Sequence, residues 1–408
     1  MKIKIKILIV ILSCTLFTYI CGGASCEIQV SKKAWQNTNL LITDTYLTQE
    51  GYIVVCGNRI DDEKSIANDF RYRDAYDPES GIQKFIWNDD EVMPYMVIEC
   101  YNQNSRIIWE YQSRDDVPCL SWIAGELPDG TLLIKKVDIS NYYGNRILYE
   151  YFLINEKGEV REIPQWMNII IKSDRFWFLE NGVMTYTTDN GGRLTLYEYT
   201  DEFVKETWTI SEFGTYGFLE NKVEEYNDGY ILYGTELKDG MINGSSVFAI
   251  DKNGYLAWKH VNQDKEMILH AASIKKDSVL CGGIKPLMEG FTPVLFEINL
   301  NTGEWIRNIH GLPKEAKAVA NISSGSHSDA LYIQLTGSDG NYILYFDANT
   351  EEYKHQIIYP EFINTIPRIL SIKENESIML YSERHQAATS NINVITKLHF
   401  CEKNMGQN

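Results

Sequence analysis

Basic residues are scarce in this sequence. Its 408 residues hold 38 Lys+Arg against 56 Asp+Glu, a formal charge of −18. Nucleic acid and anionic membranes need clustered cations, so this balance argues against both as partners. Histidine is equally sparse: His260, His270, His310, His327, His355, His385 and His399 stand singly. No Cys-x-x-Cys, His-Glu-x-x-His, Gly-x-Ser-x-Gly or phosphate-loop pattern follows the N-terminal segment. The stronger motif-level signs of an enzyme are therefore missing. Long helical periodicity is absent too, and only the N-terminus carries a long apolar run.

That run reads as a targeting segment. Lys2, Lys4 and Lys6 precede an apolar stretch from Ile7 to Ile20, and Gly22-Gly23-Ala24-Ser25 offers small residues for a peptidase. As a helix the stretch spans about 21 Å, short of the ~30 Å hydrocarbon core. The expectation is a signal peptide over residues 1–25 and an exported mature chain with no membrane span. Cys26 follows Ala-Ser in the manner of an acylated lipoprotein cysteine, although Gly23 stands where leucine is usual. A lipid anchor at Cys26 is thus an alternative fate.

What the chain has in abundance is short turn-strand units. Turns at Glu50-Gly51, Asp129-Gly130, Asn181-Gly182, Asp228-Gly229, Asp277-Ser278, Asp329-Ala330 and Glu376-Ser377 each precede a β-branched or aromatic run. Further strands follow, ending in polar turns at 155, 251, 299 and 347, about 48 residues or a multiple of it apart. Units starting near Leu40, Leu120, Ile169, Glu220, Leu269, Val319 and Arg368 predict an all-β, seven-bladed β-propeller of four-stranded antiparallel blades over residues 26–408. The last unit lacks a fourth strand after Asn391–Phe400. Glu27–Trp35 is a spare strand, so the ring is expected to close by the N-terminal strand joining the last blade. That pairing would bring Cys26 towards Cys401 as a possible disulfide, which excludes lipidation of the same sulfur.

Val247–Trp258 and Val294–Trp305 each run from an apolar strand through Asp or Asn and a glycine turn to tryptophan. In this they resemble the repeat of PQQ-like (quinoprotein-type) β-propellers. The resemblance implies a fold and no activity, since many propellers of this type are non-catalytic scaffolds. Quinone-dependent members usually have eight blades and a Cys-Cys pair. Neither is found here, so no cofactor is expected.

Individual residues mostly read as structural. Trp109, Trp208, Trp258 and Trp305 recur at matching places and are expected to pack blades. Cys56 and Cys281, in Val-Cys-Gly and Leu-Cys-Gly, are expected to share one strand position and read as small buried apolar residues. His270 falls on an inner strand and is expected to be a satisfied structural histidine. Asp189-Asn190-Gly191-Gly192 and Asn88-Asp89-Asp90-Glu91 lack the alternating spacing of a calcium loop and read as solvated turns, so no metal site is expected.

Long connections remain. An insertion at 58–93 and loops at 138–145, 236–244 and 285–293 all join second to third strands, at one face of the ring. Arg71, Tyr72, Arg73, Tyr76 and Trp87 in the insertion, with Tyr142 and Tyr143 from the neighbouring blade, are candidate binding residues. Tyr, Trp and Arg combine contact area with polar handles. The expected function is an extracellular or cell-surface binding or scaffold module for a protein or glycan. The alternatives are a glycan hydrolase or lyase at the channel mouth, or a lipoprotein with an assembly role in the envelope.

Overall fold

The structure, a computed structural model, describes residues 26–35, 40–59, 73–77, 82–86, 95–102, 106–113, 119–138, 149–199, 204–211, 213–214, 216–219, 223–226, 229–238, 241–262, 264, 266–288, 290–324, 330–337, 341–347, 352–359, 368–373, 376–384 and 391–402. Nearly all regular structure among them is strand. Six four-stranded sheets, one five-stranded sheet and a separate two-stranded hairpin account for it.

Sheet one contains Leu40–Leu47, Ile53–Arg59, Tyr95–Tyr101 and Ile107–Gln112. Sheet two contains Cys119–Glu126, Leu132–Asp138, Tyr149–Ile154 and Val160–Arg161. Sheet three follows with Arg175–Leu179, Gly182–Thr187, Arg193–Tyr199 and Val204–Ser211. In sheet four the first strand is broken into Tyr216–Leu219 and Glu224–Tyr226, both paired with Gly229–Lys238. Met241–Asp251 and Leu256–Val261 complete it. Sheet five is Ile268–Lys275, Ser278–Leu287, Gly290–Asn299 and Trp305–Asn308. Sheet six is Ala316–Ser324, Ala330–Gly337, Asn341–Asp347 and Glu352–Tyr359. Sheet seven joins Arg368–Lys373, Glu376–Arg384 and Asn391–Glu402 to the chain's first strand, Cys26–Trp35.

Six of the seven larger sheets are antiparallel meanders, the seventh is a three-strand meander completed by Cys26–Trp35, and the sheets pack face to face as in a β-propeller. Second strands such as Ser278–Leu287 are buried on both sides because a sheet covers each. Every well-defined core cluster spans two neighbouring sheets. Cys56, Ile98 and Cys100 of sheet one meet Leu132, Ile134 and Ile154 of sheet two. Leu280 and Leu295 of sheet five meet Val319, Ile333 and Leu344 of sheet six. Meander topology also sorts the connections. Turns from first to second and third to fourth strands share one end, here the turn end. Loops from second to third strands share the other, the loop end, with the links between sheets.

Tryptophan and glycine clasp adjacent sheets together. Gly254, in the last turn of sheet four, has φ +83°, and a Cβ there would lie 2.6 Å from the Trp208 ring of sheet three. The Trp208 Nε1–H donates to the Lys252 carbonyl of that turn at 3.1 Å. Gly303 of sheet five, at φ +70°, meets Trp258 of sheet four equally closely, and Trp258 Nε1–H donates to Leu300 O at 2.8 Å. Gly158 of sheet two lies against Trp109 of sheet one. Only glycine tolerates both the left-handed backbone and the indole in contact.

Several expectations need correction. Trp305 does not hold the clasp position. Trp258 comes four residues after its turn glycine, whereas Trp305 comes two after Gly303, so the bulge between Glu297 and Ile298 leaves Arg307 opposite Glu297 where Trp258 is opposite Ala249. Trp305 instead stacks on Phe296, with centroids 4.6 Å apart, and stays 42% exposed. Cys56 and Cys281 are both fully buried free thiols, but they face different ways. Cys56 packs with sheet two and Cys281 with sheet four, the sheet before its own. The turn Lys276-Asp277 is shorter than 48–52, which shifts the strand phase by one residue and so reverses the face. Ile169 does not open a strand either. Asn168–Ile171 is a helical turn whose Ile170, with Met167, plugs the space between sheets two and three. A short apolar run fits either period.

The clasp makes a measurable prediction. Trp258→Ala should cost about 3–5 kcal/mol by urea unfolding. Gly303→Ala should cost about 1–2 kcal/mol for its left-handed backbone alone, and more with Trp258 present than in the Trp258→Ala background. Equal costs in the two backgrounds would mean that ring and glycine do not interact.

Candidate functional site

At the loop end, the insertion between the second and third strands of sheet one carries its own hairpin, Arg73–Asp77 paired with Ile82–Ile86. Arg73 sits opposite Ile86 and Tyr76 opposite Gln83. Arg71, Tyr72, Trp87, Tyr142 and Tyr143 lie outside the described residues, as do Asn88-Asp89-Asp90-Glu91. His270 is on the first strand of sheet five, half-buried at the bulge between Leu269 and Ala271. Asp189–Gly191 forms a tight turn.

A feature that no sequence motif marks lies at the opposite, turn end. Sheets one and two enclose a cleft of about 240 Å³. Val54, Cys100 and Leu132 floor it, all at most 2% exposed. Trp109 and Ile108 form one wall, and three turns form the rim. Each turn is internally fixed. In 48–52, Thr48 Oγ1 accepts from Tyr52 N at 3.0 Å and Gly51 N donates to Thr48 O at 2.8 Å. In 127–131, Gly130 N donates to Leu127 O at 2.9 Å. In 155–159, Asn155 Oδ1 accepts from Lys157 N and Glu159 N, each at 2.9 Å. These bonds leave the rim little freedom to reshape.

Glu126, the last residue of its strand and 4% exposed, places a carboxylate in the cleft. Its Oε2 accepts from Gln49 N at 2.9 Å, which ties the rim of sheet one to sheet two. Burial raises the Glu126 pKa above the usual carboxylate value and Glu50 adds to this, outweighing the hydrogen bonds from Gln49 and Tyr46. Tyr46, half-buried beside Glu126, is pushed up to about 12 by desolvation and by that carboxylate. Burial likewise takes the Cys100 thiol to about 12, so it is no nucleophile at neutral pH. Glu50, Glu156 and Lys157 complete the charged lining. Nothing in the sequence marks this cleft, because its walls come from four separate segments, none with a motif.

Two other charged clusters are structural in form. Arg59 binds both Glu99 and Glu110, and Tyr101 donates to Glu99, which is fully buried. Lys275 at 3.1 Å and Arg307 at 2.8 Å grip Glu297, and Ser278 donates to it. Burial alone would raise the Glu297 carboxyl, but these partners hold it below the usual range.

No protein-family model matches the chain, and no curated protein matches it. Among solved structures it is similar to a catalytically inactive virginiamycin B lyase from Staphylococcus aureus with quinupristin. That match has TM-score 0.48 and 14% identity over 91% of this chain and 99% of the other. It is also similar to the polysaccharide lyase Uly1, with TM-score 0.49 and 8% identity over 90% and 91% of the two chains. A third likeness is the β-propeller domain of the Trilobed protease from Pyrococcus furiosus, with TM-score 0.44 and 10% identity over 88% and 93%. Similarity this remote carries neither an activity nor a ligand to the present chain. Among the described residues, no helix is long and apolar enough to cross a membrane.

The Glu126 carboxyl has a stability signature. A raised folded-state pKa means that ionisation costs folding energy, and the cost appears as the pH rises through that value. Glu126→Gln keeps an acceptor for Gln49 and Tyr46 but removes the charge. The variant should therefore melt above the parent at neutral pH, and the gap should close as the pH falls towards 4. A gap independent of pH would show that Glu126 is not the group responsible.

Proposed function

We propose that this chain is an exported seven-bladed β-propeller that serves as a binding or scaffold module at the cell surface, with its ligand face at the loop end. The seven larger sheets are the blades of one ring in this reading, closed where Cys26–Trp35 joins the last blade. Two observations support closure: this first strand pairs with Asn391–Glu402 along its whole length, and Leu40–Leu47 lies against Arg368–Lys373. The repeated clasp of tryptophan on a turn glycine supports kinship with PQQ-like propellers at the level of the repeat, without their chemistry.

The observation that carries the binding reading is the insertion in blade one. It adds a paired hairpin to a scaffold already complete without it. Elaborated loops on a rigid frame are where recognition usually sits. Arg71, Tyr72, Arg73, Tyr76 and Trp87, with Tyr142 and Tyr143 of blade two, are the proposed contacts for a protein or glycan. Strand direction adds an orientation. Cys26 begins its strand at the turn end, so an anchor there would hold the insertion outward, away from the membrane.

Cys26 stands opposite Glu402 and Cys401 opposite Glu27, one step out of line. Neighbouring strand positions belong to opposite faces, so a Cys26–Cys401 bond needs a local slip of register. Mass spectrometry of the exported, non-reduced protein separates the outcomes: a linked peptide pair, an acylated Cys26, or cleavage beyond it.

Deleting residues 60–92 tests the binding reading. Binding to surface glycans or proteins, read on an array against the parent, should disappear while the melting temperature stays within a few degrees. A large drop in melting temperature would show instead that the insertion belongs to the core.

A further inference from the structure

The cleft at the turn end is a concavity that the proposed loop-end face does not use. Its chemistry is lopsided. Three carboxylates, Glu50, Glu126 and Glu156, line it against one ammonium, Lys157. The deepest carboxylate is 4% exposed, and its bonds from Gln49 and Tyr46 use only part of the acceptor capacity of two oxygens. Apolar surface from Val54, Cys100 and Leu132 lies beside it, with the ring of Trp109 at the wall. The volume, about 240 Å³, falls below the ~300–1,000 Å³ typical of drug-sized ligands. One extended side chain fits that size.

We infer that this cleft is a binding site for a single alkyl-ammonium or guanidinium group, its apolar stem against Trp109 and the floor and its cationic head at Glu126. A buried carboxylate with a second acid nearby gains most from a cation, because the cation offsets both desolvation and like-charge repulsion. The indole wall suits the methylenes and adds attraction for the charge. Fixed turns at the rim keep the site open in advance, so little ordering opposes binding. Lys157 is the one cation of the lining and competes with the ligand's charge. The head group belongs either to a lysine or arginine of a partner chain or to a free polyamine.

Isothermal titration of the full chain with Nα-acetyl-lysine methylamide, Nα-acetyl-arginine methylamide, spermidine and uncharged Nα-acetyl-norleucine methylamide decides the matter. Saturable binding of at least one cationic probe, and none of the norleucine probe, is the expected result. Capped lysine or arginine binding without spermidine identifies a partner side chain, and the converse identifies a free amine. Glu126→Gln should weaken binding about tenfold or more, the loss of one charge-assisted hydrogen bond. Glu50→Gln, at an exposed position that cannot disturb the core, should weaken it less, and Lys157→Ala should strengthen it. Affinity should also fall as the pH drops and Glu126 protonates; Glu50, Glu156, Lys157 and Tyr46 are the other charged or titratable groups around it. No saturable binding up to about 10 mM, equal binding of the norleucine probe, or affinities indifferent to both glutamate substitutions would overturn the site. Deleting 60–92 leaves the cleft intact, so this result stands or falls apart from the loop-end reading.

Discussion

The fit of an indole onto the turn glycine of the next sheet holds much of this architecture in register. A four-stranded meander has two apolar faces and would slide on its neighbour if only greasy contact held it. The clasp removes that freedom, because Trp208 and Trp258 each meet one glycine in van der Waals contact and donate one hydrogen bond to a backbone carbonyl of the same turn. Shape and polarity are satisfied together, which a leucine at the same place could not do. The pattern is also selective. Trp109, Trp208 and Trp258 appear where the following sheet's turn has a glycine. In sheet five Arg307 stands there instead and engages Glu297, and the sequence between the last two strands of the following sheet has no glycine.

Much of the architecture was legible because turn chemistry is local. Glycines and Asx residues before β-branched runs mark strand starts without reference to anything distant, and most starts fell within a few residues of the observed ones. The partnership of Cys26–Trp35 with the chain's other end was legible by subtraction, since one unit lacked a strand and one strand lacked a unit. Phase was harder. The Val-Cys-Gly and Leu-Cys-Gly segments look alike, yet turns of different length put their cysteines on opposite faces. Trp305 misled for the same reason: its distance from the glycine differs from that of Trp258 by two, and a bulge decides which residue reaches across.

The cleft beside Glu126 was not legible at all. Its carboxylate matters through burial, and burial follows from how two sheets meet rather than from any neighbour in sequence. Glu50, Trp109, Glu126 and Lys157 are separated by tens of residues along the chain. The loop-end residues show the opposite balance: their types invited a binding reading from sequence, while their mutual placement lies outside what is described.

Sheet seven has a consequence for biosynthesis. Its outer strand, Cys26–Trp35, is synthesised more than 350 residues before its partner, Asn391–Glu402. Until that partner is made the early strand has no proper neighbour, and its backbone groups stay available to any passing β-edge. Lys32 and Lys33 in that strand are residues of the kind that discourage such errant pairing. Sheet seven can therefore assemble only after the six sheets that lie between its two segments in the sequence have been made.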